Sequence, residues 1–151
     1  MTKAFNFPLQ KVLNVRTMVE DAKAIELQKA QAEIERERQN LSSIQAEKET
    51  AVQSDKTADT GGQLSLHQLS NRMEYVDQLN EQIEKQGEVI ARSQEDAEVQ
   101  RQAFVQASKE KMVIEKLKEH HQEAFKKKSN QDQVKAESEV ASRISQNESG
   151  L

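Results

Sequence analysis

The sequence contains no cysteine and no tryptophan, and it has one proline and four glycines among 151 residues. Without cysteine, the chain can form no disulfide, no thiolate nucleophile and no cysteine metal site. Sheet proteins need a turn about every 8–12 residues, and those turns use glycine and proline. Here Pro8 stands near the start, and Gly61 and Gly62 form the only glycine pair. The sequence therefore allows about one sharp break, and the rest is predicted to be helical or disordered.

Large apolar residues are also scarce. Hydrophobic residues make up 34% of the chain and aromatic residues 3%, whereas average globular domains are about 45–50% apolar. A thick core with walled pockets is therefore not expected. No apolar run approaches the roughly 18 residues of a membrane span, and the N-terminus lacks the apolar core of a secretory signal. We expect a cytoplasmic protein with no cofactor and no small-molecule substrate.

Charge is abundant but nearly balanced. The chain carries 22 basic and 26 acidic residues, a net charge of −4. General nucleic-acid binding requires a basic excess, so we expect no nucleic-acid partner.

The apolar residues recur with helical spacing in two long segments. The pattern predicts a helix over residues 8–54, a loop over 55–63 and a second helix over 64–128. Residues 129–151 are expected to be a frayed helix or a disordered tail. The stripe of the first helix contains two polar members, Glu37 and Lys48. That of the second helix repeats every seven residues: Leu69, Val76, Ile83, Ile90, Ala97 and Phe104.

A repeat of seven is typical of a coiled-coil seam, because a spacing of 3.5 residues keeps one edge of a helix facing a partner. The predicted fold class is all-α, with two long helices in an antiparallel coiled-coil hairpin and a longer, overhanging second helix. Residues 1–151 are expected to form this single domain. Paired residue numbers should then sum to about 120, which places Leu41 opposite Leu79. An intermolecular coiled coil has the same pattern and stays open.

Two groups of residues resemble chemical sites. His120 and His121 are adjacent on a helix and point about 100° apart, so they cannot chelate one ion as an i, i+4 pair would. Paired carboxylates such as Glu95 and Asp96 need a cleft that raises one pKa before they can catalyse, and a coiled coil offers no cleft. We expect neither a metal site nor an enzyme.

Basic charge is concentrated in two segments. The chain up to Arg16 carries Lys3, Lys11 and Arg16 and no acid, and residues 116–128 carry five lysines against two glutamates. A hairpin would bring both segments to one end. Such an end is suited to an acidic partner or an anionic membrane face, although a solvated charged surface is an equally good interpretation. Phe5 and Phe7, nearby, could staple the first helical turn, cover the overhang or touch a partner.

The segment FNFPLQKVLNVR, from Phe5 to Arg16, resembles the N-terminal signature F-x-F-x-L-x-x-V-L-x-x-R of the flagellar FliJ family. The stretch EKMVIEKLKE, residues 110–119, resembles the second block of that family. Chain length, the two-helix layout and the loop position agree as well. Pro8 departs from the family pattern, which more often has a polar residue there, but proline is tolerated at a helix start.

The resemblance implies a stalk protein of the flagellar type III export apparatus. Such proteins are cytoplasmic and peripherally associated with the inner membrane at the flagellar base. Three partners are implied: the hexameric export ATPase, the cytoplasmic domain of the membrane protein that forms the export gate, and export chaperones.

The resemblance also implies which residues meet these partners. For the ATPase, the resemblance gives the candidates Phe5, Phe7, Leu9, Leu13, Arg16, Leu117 and Lys118. The charge pattern adds Lys126, Lys127 and Lys128. Those for the export gate are Leu41, Tyr75 and Leu79. A seam role competes with contact for each apolar residue, and for Leu13, Leu41 and Leu79 the seam role is favoured.

Two alternatives stay open at this point. One is the equivalent stalk of a virulence type III system, which would have the same architecture. The other is a passive scaffold that dimerises as a coiled coil and spaces other proteins.

Overall fold

The protein is all-α, as predicted, and consists of two helices packed against each other. A computed structural model describes residues 3–59 and 65–150. Helix α1 spans Gln10–Asp59, and the longer helix α2 spans Leu66–Ser149. Both are rich in Ala, Glu, Gln, Lys, Arg and Leu, which favour helix. Residues 60–63 of the predicted loop and residue 64, the predicted start of the second helix, lie outside the described residues.

The two helices begin in different ways. Pro8 and Leu9 form a turn before α1, in which the amide of Gln10 donates to the carbonyl of Phe7 at 3.1 Å. The helix therefore starts two residues after the predicted position 8. At the start of α2, the amide of Gln68 donates to the Ser65 hydroxyl at 3.3 Å. This side-chain cap satisfies one of the amides that lack a partner in the first helical turn.

Both helices continue past their predicted ends. Helix α1 reaches Asp59 rather than residue 54, and α2 reaches Ser149 rather than residue 128. Neither added segment contains proline, and glycine is absent from both, so nothing local stops the helix. Every residue from Lys126 to Gly150 is exposed. In this part α2 is a solvated helix, where frayed helix and disorder had both been left open.

The chain divides into two units, and each contains part of both helices. Unit 1 comprises Met1–Glu20 and Gln106–Leu151, and unit 2 comprises Asp21–Val105. The buried core of unit 1, within the described residues, contains Phe7, Leu13 and Ala107. That of unit 2 contains Leu79 and Ile90. A single domain over residues 1–151 stays a prediction.

Contacts between the helices are antiparallel within each unit, but their register differs from the predicted sum of about 120. In unit 2, Gln86 meets Glu37, about three residues from the predicted alignment. In unit 1, Lys118 meets Gln10, about eight residues from it. The prediction assumed one constant register, whereas the offset between the helices differs by about five residues between these two contacts.

Candidate partner-binding surfaces

The N-terminal segment of unit 1 packs on α2 through two aromatic contacts. The rings of Phe5 and Phe125 lie 5.5 Å apart at an angle of 59°, and those of Phe7 and His121 lie 5.6 Å apart, edge to face. Phe7 is 4% exposed and Leu13 is 8% exposed. The structure places both phenylalanines against α2. Of the roles that the sequence left open, covering part of this helix is the one that these contacts fit. Phe7 and Leu13 therefore belong to the core of unit 1, and little of either side chain is accessible to a partner.

Polar side chains connect the helices next to this core. Arg16 Nη1 donates to Glu110 Oε2 at 2.5 Å, and these side chains are 43% and 39% exposed. Lys118 Nζ donates to the side-chain carbonyl of Gln10 at 2.8 Å. Two of the predicted ATPase-binding residues, Arg16 and Lys118, therefore have partners inside the chain. Arg16 keeps enough exposed surface to reach a second carboxylate.

A third connection lies at Glu20. Lys111 Nζ donates to Glu20 Oε1 at 3.1 Å, and the side chains are 19% exposed for Glu20 and 24% for Lys111. The pKa of Glu20 is lowered, first by a hydrogen bond from Ser108 and then by Lys111. The pKa of Lys111 is raised, chiefly by Glu20. Glu20 and Lys111 therefore stabilise each other's charged forms, and sequence reasoning missed both because it assumed a different register.

We expect Glu20→Gln to lower the melting temperature of the chain by about 1–3 °C at pH 7. A carboxyl group whose pKa is lowered on folding stabilises the fold above its unfolded pKa, and that contribution is lost as pH falls through the folded pKa. The difference between wild type and variant should therefore shrink as pH falls below the ordinary glutamate pKa of 4.5 and through the lower pKa of Glu20 in the folded chain. Thermal denaturation followed by circular dichroism between pH 3 and 7 measures it.

Glu123→Gln is the matched control for this prediction. Glu123 is exposed, lies in the same unit and has no ion pair within the described residues. It should leave the melting temperature unchanged at every pH. A Glu20→Gln deficit of the same size at pH 7 and pH 3 would contradict an electrostatic origin and point to packing.

The lysine cluster of unit 1, defined as Lys126, Lys127 and Lys128, is the most accessible of the predicted sites. All three residues are exposed, and none has an ion-pair partner in the described part of the chain. Lys116, by contrast, is paired with Glu119 at 3.0 Å. Three unpaired charges on successive helical residues form a local positive potential that a negatively charged surface can meet.

Unit 1 also exposes apolar side chains that the sequence analysis did not single out as contacts. Leu117, a predicted contact, is 36% exposed and Leu9 is half-buried. The further exposed apolar residues of this unit up to Val113 are Val12, Val15, Met18, Val19, Met112 and Val113. In the sequence these residues alternate with the core positions, and this alternation is the signal that could have identified them as exposed apolar residues. Scattered exposed apolar residues are ordinary, but a concentration of them beside basic residues is typical of an interaction surface.

The predicted gate-binding residues of unit 2 differ in accessibility. Tyr75 is 41% exposed, and its hydroxyl donates to a carboxylate oxygen of Glu47. This bond to Glu47 raises the pKa of Tyr75, so the residue is a neutral phenol at physiological pH. Leu79 is 2% exposed, and Leu41 is half-buried. Leu79 therefore serves the packing of unit 2, Leu41 is partly covered, and Tyr75 is the most accessible of the three.

Among the side chains that the structure describes, those of residues 3–54 and 65–150, no group of three or more His, Cys, Asp or Glu could hold a metal ion. His121 packs against Phe7 instead. No helix in the same ranges is long and apolar enough to cross a membrane.

The comparisons with known proteins identify one family. The family model described as "Flagellar FliJ protein" matches residues 5–150. No curated protein and no solved structure matches the chain. The match covers nearly the whole sequence, including both blocks that carry the resemblance.

Proposed function

The chain belongs to the flagellar FliJ family, and we propose that it is a stalk that binds the hexameric export ATPase through unit 1. Membership of this family makes it a non-enzymatic component of the flagellar export apparatus. The remainder of the proposal is that unit 2 contacts the cytoplasmic domain of the export gate, that the chain escorts export chaperones, and that it works on the cytoplasmic side of the inner membrane at the flagellar base.

The observation that supports the ATPase proposal is which candidate residues lie in unit 1. Every candidate ATPase contact lies in this unit, whereas the candidate gate contacts lie in unit 2. The lysine cluster is exposed and has no ion-pair partner within the described residues, and unit 1 also exposes apolar side chains on both helices. Apolar contacts give affinity, and unpaired charge favours fast encounter with an acidic partner. Phe7 and Leu13, being buried, support this surface from within.

The gate proposal depends on Tyr75. Aromatic residues dominate the energetics of many interfaces because they bury a large area at a low entropic cost. Tyr75 presents part of its ring to solvent, while Glu47 holds its hydroxyl. Among the three candidates in unit 2, only Tyr75 combines exposure with a large apolar surface.

The ATP hydrolysis rate of the export ATPase from the same organism tests the ATPase proposal. We expect addition of the full chain to raise this rate several-fold, and the two proteins to co-migrate in gel filtration. Replacing Leu9 and Leu117 by serine should abolish most of the stimulation, because both side chains keep solvent-accessible apolar surface and the buried core is left intact.

Leu66→Ser is the matched control for this assay. Leu66 is 87% exposed and lies in unit 2, so the same chemical change should leave stimulation at the wild-type level. Absence of both stimulation and co-migration with the wild-type chain would show that the ATPase proposal is wrong.

A further inference from the structure

One polar pair interrupts the apolar seam of unit 2. Glu37 occupies a seam position of α1, and Gln86 lies on α2 between the buried or half-buried residues Ile83 and Ile90. The Glu37 side chain is 14% exposed. A carboxylate so largely covered is costly unless hydrogen bonds satisfy it.

Gln86 provides most of that compensation. Its Nε2 donates to the main-chain carbonyl oxygen of Glu37 at 2.9 Å and to the Glu37 carboxylate at 2.5 Å. Asn40 adds a longer contact to the same carboxylate at 3.4 Å. The pKa of Glu37 is lowered, chiefly by Gln86, so the carboxylate stays ionised at neutral pH. One amide therefore holds both the charge and the backbone of the facing helix.

We propose that the Glu37–Gln86 pair selects the observed register of the α1–α2 pairing over slipped registers and over pairing of like helices. Apolar seams alone do not make this choice. Residues that repeat every seven positions can pair equally well after a slip of one heptad, and the α2 stripe is regular enough to pair with a second copy. A polar residue at a core position restricts register and partner number because it is satisfied in only one arrangement.

A slipped register and a pairing of like helices both separate the pair. A slip of seven residues displaces the Gln86 amide by about 10 Å along the helix axis, and it brings Leu79 or Ser93, depending on its direction, to the place of Gln86. Neither side chain has an amide that can reach both the carboxylate and the backbone of Glu37. Pairing of two α1 helices in parallel register places Glu37 opposite the same residue of a second copy, so two carboxylates meet in the seam. The contacts of Glu37 with Asn40 at 3.4 Å and Arg36 at 4.0 Å lie within α1 and persist in every register. The observed register is the one that adds the two shorter bonds from Gln86.

The test replaces the pair in the full chain by Glu37→Leu together with Gln86→Leu. Substituting apolar residues for a largely covered charge and its partner should raise the melting temperature by about 3–10 °C. The double substitution should also remove the preference for one helix pairing. We expect a dimer in sedimentation equilibrium at concentrations where the wild type is monomeric, or a second register.

Register is read from the distance between nitroxide labels on Arg38→Cys and Lys85→Cys, two exposed positions in unit 2. Because the natural chain has no cysteine, only these sites are labelled. The wild-type background should give one narrow distance distribution, and the leucine pair should add a second one or broaden it. A leucine pair that stays monomeric with one unchanged distance overturns the proposal.

Two further variants keep the result interpretable. Glu35→Leu with Gln78→Leu makes the same chemical change at exposed positions of unit 2, and it should leave mass and distance unchanged. A dimer formed by this control as well would assign the effect to surface apolarity and overturn the proposal. Gln86→Leu alone leaves Glu37 with only the longer contacts from its own helix, so it should lower the melting temperature, opposite in sign to the leucine pair. An increase with the single variant equally contradicts the proposal.

Discussion

Reversal of the lysine cluster, with Lys126, Lys127 and Lys128 all replaced by glutamate, is expected to weaken binding to the export ATPase by about 10- to 100-fold at low salt. These lysines are exposed and have no ion-pair partner within the described residues, so their replacement costs no internal contact. Charges at the edge of an interface mainly set the association rate. The loss should therefore appear in the association rate and shrink as salt shortens the Debye length from about 30 Å at 0.01 M to about 10 Å at 0.1 M.

The control reverses an equal amount of charge in unit 2. Lys29, Arg38 and Lys85 are exposed there, and their replacement by glutamate gives the same net charge as reversal of the lysine cluster. Surface plasmon resonance between 20 and 300 mM salt compares the two variants, and circular dichroism checks that helicity is preserved. Equal losses in both would mean that net charge alone governs the encounter. Unaltered binding of the lysine-cluster variant at low salt would exclude a basic docking surface on unit 1.

The two-helix fold could be predicted from the sequence because its evidence is repetitive. Each heptad of α2, from Leu69 to Phe104, supplies the same information, and several weak signals add up. Helix ends depend on fewer residues. Residues 129–149 have no continuous seam, and the choice between helix and disorder there depends on local propensity without packing. The structure places them in α2 up to Ser149.

Register was less predictable for a physical reason. Apolar side chains tolerate displacement by a heptad, whereas the polar contacts that distinguish registers are specific and few. Arg16 with Glu110 and Gln86 with Glu37 become recognisable only when the helices are placed side by side. In the sequence, Gln86 looks like any other glutamine of a charged helix.

The candidate site, like the fold, could be predicted only in part from the sequence. The aromatic signature at Phe5 and Phe7 could be found in the sequence, but its contacts with Phe125 and His121 depend on register and could not. The favoured seam role of Leu79 agrees with its burial. The partner roles of Arg16 and Tyr75 stay predictions, because affinity for another protein depends on that protein's surface as well.

Replacing Tyr75 by alanine is expected to weaken binding of the chain to the cytoplasmic domain of the export gate by about tenfold or more, since truncation of a central aromatic removes much of the apolar contact area. Tyr75→Phe keeps the ring and loses only the bond to Glu47, so its affinity should stay close to that of the wild type. Isothermal titration calorimetry against the purified gate domain measures both.

Met73 provides the comparison that separates specific contact from general apolarity. It is 61% exposed and lies on the same helix of unit 2, so Met73→Ala removes a similarly accessible apolar side chain two residues away. Leu79→Ala would not serve, because loss of a side chain that is 2% exposed lowers stability by about 2–5 kcal/mol and weakens any surface that depends on folding. A gate contact made by Tyr75 requires that Tyr75→Ala lose affinity while Met73→Ala and Tyr75→Phe retain it. Equal affinities for Tyr75→Ala and the wild type would remove Tyr75 from the interface, and with it the most accessible candidate in unit 2.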